Sequence, residues 1–209
     1  MHHQSPAHLH AFLDADWGGN KDDFSSTGAY ILYLGRNPVL WSSKKQQTIA
    51  RSSTEAEYRY VADTTSEISW VCSLLNELQY SVNQVPVIYC DNIGATQLSS
   101  NPVFHSRMKH VSIDFHFIRE RVQSGVLRVC RVSFDDQLAD ALTKSLPHYR
   151  FELLKDKIGL TQGRPSWGGM SASNIHSSGL QEYWCCIVRI MCWSSGILML
   201  LGLYSLNLN

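Results

Sequence analysis

The sequence has no net charge: eighteen basic residues cancel eighteen acidic ones over 209 positions. That balance excludes a global electrostatic pull toward nucleic acid, so any such partner has to be recognised by local patches. Metal-binding cysteine spacing is absent too. Cys72, Cys90, Cys130, Cys185, Cys186 and Cys192 form no CxxC, and three of the six lie in apolar runs such as VIYC, where a small buried thiol is expected. The opening MHHQSPAHLH is polar and has no signal-peptide pattern, so reduced thiols and an intracellular, cytoplasmic setting are expected. No internal repeat is visible. Charged residues are only 17% of the chain and hydrophobic ones 44%, which excludes a disordered polar chain and leaves a globular domain with something small beside it.

What is present begins with AFLDADWGG (11–19), an apolar run ending in two carboxylates. Strand alternation points Asp14 and Asp16 to one face. Like charges on one face repel, and no Lys or Arg lies within four positions of either. TGAYILYLGRNPVLWSSKK (27–45) then reads as two strands joined at Gly35–Pro38, so three strands form an antiparallel meander. Over 52–80 the period changes. Apolar positions 61, 68, 71, 75 and 78 mark one helical face, with Ser53 or Thr54 as the cap. VPVIYCD (85–91) reads as a buried strand, and NIGATQLSS as a brief helix stopped before Pro102. A second long helix follows over 106–125 with apolar positions 111, 115 and 118, then a strand at 126–132 and helices at 135–146 and 149–160. This order predicts an α/β domain with one mixed sheet.

The domain is expected to span residues 1–160. Residues 161–209 read as a Gly/Ser-rich linker and an apolar tail outside the fold. The tail's 184–206 stretch is about long enough to span a bilayer, but Arg189 interrupts it and no basic cluster flags either end, so no membrane contact is expected.

Four acids fall on four different elements: Asp14 at the end of the first strand, Glu57 early in the first long helix, Asp91 at the end of the fourth strand, and Asp140 in the helix over 135–146. Strand ends and the helix starts beside them form the ligand crevice of an open sheet. Carboxylates meeting there raise one another's pKa unless a cation neutralises them, and a hard divalent ion such as Mg²⁺ suits such a donor set. Two ions about 4 Å apart can activate water and stabilise the leaving oxygen of a phosphodiester. Each acid also has an ordinary structural reading. Asp14 and Asp16 could be turn residues before Gly18, Glu57 could close a Thr54-x-x-Glu57 capping box, Asp91 could cap the following helix, and Asp140 could be a solvated helix charge.

DADWGGNKDDFSSTGAYILYLG, WSSKKQQTIARSSTEAEYR, CDNIGA, NPVFHSRMKHVSIDFHFIRE and DQLADALTKSLP, in that order over residues 8–158, resemble the ribonuclease H region of plant Ty1/copia-type retrotransposon Pol polyproteins. The resemblance implies the ribonuclease H-like fold, a mixed five-stranded sheet flanked by helices. It also implies endonucleolytic cleavage of the RNA strand of RNA–DNA hybrids with two Mg²⁺ ions, replaceable by Mn²⁺. The catalytic metal ligands it implies are Asp14, Glu57 (not Glu55), Asp91 and Asp140 (not Asp135 or Asp136), with Asp16 a neighbour that adds negative charge. A reverse transcriptase region of the parent polyprotein is the implied partner, the fragment itself being a monomer and the intact element housed in a virus-like particle.

The sequence departs from the family's pattern at several positions. Arg131 stands where a loop histidine is usual, and a guanidinium does not titrate near neutrality, although it can hold a phosphate. Leu13 replaces a small hydroxyl residue, Tyr60 a small residue, and Ser145 a proline. Hybrid binding needs phosphate contacts and a sensor of the 2′-hydroxyl. Lys44, Lys45, Arg51, Arg107 and Lys109 are the phosphate candidates, and Asn92 with Ser52 or Ser53 the minor-groove candidates. His105, His110 and His116 are spaced by five and six, which does not put them on one helical face, so they read as surface residues rather than zinc ligands. The alternative function is a weak or inactive relic that keeps the fold and at most binds nucleic acid.

Overall fold

The computed structural model describes residues 8–101 and 111–160. The linker and tail over 161–209, the 184–206 stretch and the start of the 106–125 helix lie outside the described residues.

Strand β1 (Leu9–Asp16) is the middle of a five-stranded sheet ordered β3-β2-β1-β4-β5. On one side β2 (Thr27–Leu34) and β3 (Asn37–Lys45) continue antiparallel; on the other β4 (Val87–Cys90) and β5 (Arg128–Arg131) run parallel to it. The expected mixed sheet is thus present. Gly35, at φ +65°, makes the two-residue link between β2 and β3, and Pro38 lies on the edge strand.

Alternation along β1 sorts its residues between two helical layers. Leu9, Ala11 and Leu13 are fully buried, and Ala15 packs with Ala50 and with Ala56 of α1 (Ser53–Glu77). Phe12, with Ile31 and Tyr33 of β2, packs under Leu138, Leu154 and Ile158, which lie before and within α5 (His148–Ile158). Covered on both faces, β2 is buried along all but its ends.

Helix α1 begins two residues earlier than a Thr54 cap would give. Ser52 is the cap, its hydroxyl accepting from the Glu55 amide at 3.1 Å, while the Glu55 carboxylate accepts from the Arg51 amide at 3.0 Å. Glu55 does the capping that the alternative reading gave to Glu57, and Glu57 turns inward. Of the expected stripe, positions 61, 68, 71 and 75 are buried, and Leu78, at the C-cap, is exposed. Between β4 and β5 lie α2 (Ile93–Ser100) and α3 (Ser112–Gln123). Val111, Phe115 and Ile118, the three apolar positions read from the sequence, are all buried, and the helix stops before Gly125 at φ +71°.

The helix expected over 135–146 is a correction. A short 3₁₀ turn covers Phe134–Asp136, and α4 (Asp140–Thr143) is only four residues long. The interruption is Gln137, whose backbone is extended and whose fully buried amide donates to the Leu13 carbonyl at 2.8 Å. The extended backbone at Gln137 ends the turn, and in that conformation its side chain reaches the Leu13 carbonyl. Among the described residues no helix is long and apolar enough to cross a membrane.

Tyr60, the bulky residue in the first long helix, is accommodated by Gly28 on β2: a Cβ there would lie 2.1 Å from the Tyr60 ring. Replacing Gly28 with Ala is expected to cost about 1–3 kcal/mol by overpacking. In a Tyr60→Ala background the same substitution should cost less than half as much. Urea unfolding of the four proteins measures the coupling.

Candidate active site

In the parallel pair, Phe12 stands opposite Tyr89. Two residues further on, that register brings Asp14 beside Asp91, which follows the last residue of β4. Glu57 reaches the same edge from the start of α1 and Asp140 from the first position of α4. Ligand atoms of Asp14, Asp91 and Asp140 lie within 4.8 Å of one another, as do those of Glu57, Cys90 and Asp91. The four predicted acids therefore form two overlapping groups that share Asp91. Asp14, Glu57 and Asp140 are buried and Asp91 is half-buried.

The ordinary readings of these acids give way to other residues. Asn92, not Asp91, caps α2, its side-chain oxygen accepting from the Ala95 amide at 3.0 Å. Asp140 is wholly buried rather than solvated. Asp16 belongs to neither group; its carboxylate folds over Gly19, where a Cβ would meet it at 1.8 Å.

Burial dominates the electrostatics. It pushes the Glu57 carboxyl up to about 7, helped by the charges of Asp91 and Asp14, against hydrogen bonds from the Cys90 thiol at 3.0 Å and the Asn92 amide at 3.2 Å. Burial also raises Asp14, with Asp140 and Asp91 adding to it, while the Thr143 hydroxyl and the Lys144 ammonium pull it down. Burial and the Glu57 charge drive the Cys90 thiol far above its ordinary range, so it stays protonated and serves as a donor. The donor set left for a cation is carboxylate oxygen, which suits a hard ion such as Mg²⁺ or Mn²⁺.

Several residues of the site were not foreseen in the sequence. Lys144 Nζ lies 2.6 Å from Asp140 Oδ1 and 3.2 Å from Asp14 Oδ1. Arg150 donates to Asp140 Oδ2 at 2.8 Å and to the Phe134 carbonyl at 2.7 Å, with its guanidinium 3.8 Å from the centre of the Phe134 ring. The Thr143 hydroxyl donates to Asp14 Oδ2, and Gln137 to Asp91 at 3.4 Å. Burial alone would lower the Lys144 ammonium, but its two carboxylates hold it above the ordinary value. Lys144 follows Asp140 by four positions, a spacing that signals contact on a helix. Arg150 and Gln137 carry no such local signal.

The other described sequence candidates fall on several elements. Arg131 ends β5 in register with Cys90; it is exposed and ion-paired to none of the four acids. Lys44 and Lys45 end β3, where Lys45 pairs with Asp23 at 2.6 Å. Arg51 and Ser53 are exposed around the start of α1, and Asn92 has its amide on Glu57. His116 is exposed on α3, and Ser145 is exposed after α4. Arg107, Lys109, His105 and His110 lie outside the described residues.

A mixed sheet ordered 3-2-1-4-5, with carboxylates gathered where β1 and β4 end, defines the ribonuclease H-like fold. The chain belongs to the retrovirus-related Pol polyproteins of plant transposons. It is 62% identical over 158 residues to the Pol polyprotein from transposon RE1 of Arabidopsis thaliana, and 60% identical over 162 residues to that from transposon RE2. These matches cover 76% and 78% of this chain but 11% of each relative. The Pol polyprotein from transposon TNT 1-94 of Nicotiana tabacum is 37% identical over 152 residues, 73% of this chain and 11% of that protein. Among solved structures, LC11-RNase H1 in complex with an RNA/DNA hybrid is 13% identical, matching 65% of this chain and 93% of that one with a TM-score of 0.49. No family profile matches the chain.

The Glu57 shift predicts a pH dependence. With its folded pKa near 7 and its ordinary value 4.5, the native protein holds a proton that the unfolded chain releases. The resulting stability is fully present below about pH 4.5 and lost as pH rises through about 7, to a total of about 3 kcal/mol. Urea midpoints measured in chelator from about pH 5 to 8 should fall with pH, and Glu57→Gln should flatten that fall.

Proposed function

We propose that this chain is the ribonuclease H unit of a retrotransposon polyprotein and hydrolyses the RNA strand of RNA–DNA hybrids. The observation that carries the reading is the pair of overlapping carboxylate groups meeting at Asp91. Asp14, Asp91 and Asp140 would hold one divalent cation, and Glu57 with Asp91 a second. Such ions supply an activated water and stabilise the leaving oxygen of a phosphodiester. The protein's part is to keep these carboxylates aimed at one edge. Arg150 fixes Asp140, the Thr143 hydroxyl orients Asp14, and Asn92 with Cys90 orients Glu57.

Substrate contacts are assigned from charge and, for the described residues, from position. Lys44, Lys45 and Arg51, with Arg107 and Lys109, serve the phosphates, and Ser53 faces the substrate from the start of α1. Asn92 acts by positioning Glu57. Arg131 holds a phosphate but cannot carry a proton. The parent polyprotein's reverse transcriptase region is the functional neighbour. The fragment acts as a monomer, in the cytoplasm or in the element's virus-like particle.

The test is a labelled RNA–DNA hybrid incubated with the full chain and Mg²⁺ or Mn²⁺. Cutting of the RNA strand is expected, with single-stranded RNA and duplex DNA left intact, and Asp14→Asn and Asp91→Asn should abolish it. Restoring a histidine by Arg131→His should raise turnover about ten-fold where proton transfer limits the rate. If the Arg131→His protein cuts no hybrid with either metal, the enzymatic reading fails and a folded relic takes its place.

A further inference from the structure

Among the cations around the site, Lys144 differs from Arg150 in how it is held. Arg150 is fixed from several directions: Asp140 Oδ2, the Phe134 carbonyl, the Phe134 ring, and Asp135 at 3.5 Å. The Lys144 side chain reaches the acids through its ammonium alone, which lies 5.8 Å from the centre of the Phe134 ring against 3.8 Å for the Arg150 guanidinium, and it keeps 29% of its surface exposed. An ammonium on a flexible four-carbon stem is a mobile point charge, whereas a guanidinium in a fork of acceptors is not.

The oxygens it occupies give this difference a consequence. Asp14 Oδ2 accepts from the Thr143 hydroxyl, and Asp140 Oδ2 accepts from Arg150. The oxygens left on these two acids are Asp14 Oδ1 and Asp140 Oδ1, and Lys144 Nζ lies on both. A cation bridging Asp14 and Asp140 through these oxygens would compete with Lys144 for both of them, while the Oδ2 atoms already carry the Thr143 and Arg150 donors.

We propose that Lys144 is a built-in counter-ion that stands in for the divalent cation in the metal-free site and must be displaced when the ion binds. The proposal rests on the metal-binding reading above. Lys144 neutralises the buried pair Asp14 and Asp140 while no ion is present, and it weakens metal affinity by competing for the same two oxygens. Its exposed side gives the displaced ammonium a way into solvent.

Two substitutions of opposite sign test this in the full chain, with Mn²⁺ binding followed by titration calorimetry after chelator treatment. Lys144→Met keeps much of the stem and removes the charge; Mn²⁺ should bind about ten-fold tighter, because no cation has to leave. The metal-free melting temperature should fall and the rise on adding Mn²⁺ should grow. Lys144→Arg replaces a point charge with a two-pronged donor and should bind Mn²⁺ several-fold more weakly than the parent protein. Should Lys144→Met fail to fold without metal, the Lys144→Arg comparison still decides the direction. Mn²⁺ affinities within two-fold of the parent for both variants, or weaker binding by Lys144→Met, would overturn the proposal while leaving the metal site standing. If the parent protein and both variants bind no Mn²⁺, the metal-binding reading itself fails, and this inference with it.

Discussion

Four carboxyl groups gathered where two parallel strands end side by side would repel one another by several kcal/mol per close pair. Two unit charges 4 Å apart amount to about 4 kcal/mol at the effective dielectric of a protein surface, and more where water is excluded. Much of the second half of the chain answers that repulsion. The turn at Phe134–Asp136, the short α4 and the start of α5 bring Thr143, Lys144 and Arg150 against Asp14 and Asp140. The same segments supply Leu138, Leu154 and Ile158 to the apolar layer over β2. Charge compensation and core formation are therefore carried by the same stretch of chain.

Sheet topology is what makes the repulsion unavoidable. Because β1 has an antiparallel neighbour on one side and a parallel one on the other, Asp14 and Asp91 leave the sheet in the same direction from adjacent strands. An antiparallel β4 would send Asp91 to the opposite edge. Asp14 also belongs to the β1 face that looks toward α4, while Leu13 and Ala15 look toward α1. A one-residue slip of β1 would put a leucine at the site and a carboxylate under α1, so register is held by the same alternation that builds the core.

Most of the architecture could be read from periodicity, because it follows from burial. The meander and the stripes at 61, 68, 71, 75 and at 111, 115, 118 are patterns of where water is excluded, and the turn at Gly35 is a local backbone signal. The four acids could be placed on their elements for the same reason, and the resemblance chose among their alternatives. What was not legible depends on contacts distant in sequence. Gln137 breaks an otherwise helical stretch because its amide meets the Leu13 carbonyl, 124 positions away. The Asp14–Lys144 contact spans 130 positions. Even the cap of α1 was misplaced by a local ambiguity: SSTEAE offers Ser52, Ser53 or Thr54 with Glu55 or Glu57, and only the inward turn of Glu57 selects Ser52 and Glu55.

The four acids are not equivalent, and the inequality has a chemical direction. Asp140 has both Lys144 and Arg150, Asp14 has Thr143 and Lys144, and Glu57 has Cys90 and Asn92. Among the described residues Asp91 has a single donor, the Gln137 amide at 3.4 Å, and it is the most solvent-exposed of the four acids. It is also the acid common to both carboxylate groups. Under the proposed metal-binding reading, a hydrated cation approaching from solvent would meet first the carboxylate with least to give up, and that carboxylate could serve either group. The better-held acids would then act as fixed walls whose partners set how much each oxygen costs to free. Orienting three acids by hydrogen bonds while leaving the shared one a single donor among the described residues would divide the site into a scaffold and an entry point, using only the protein's own donors.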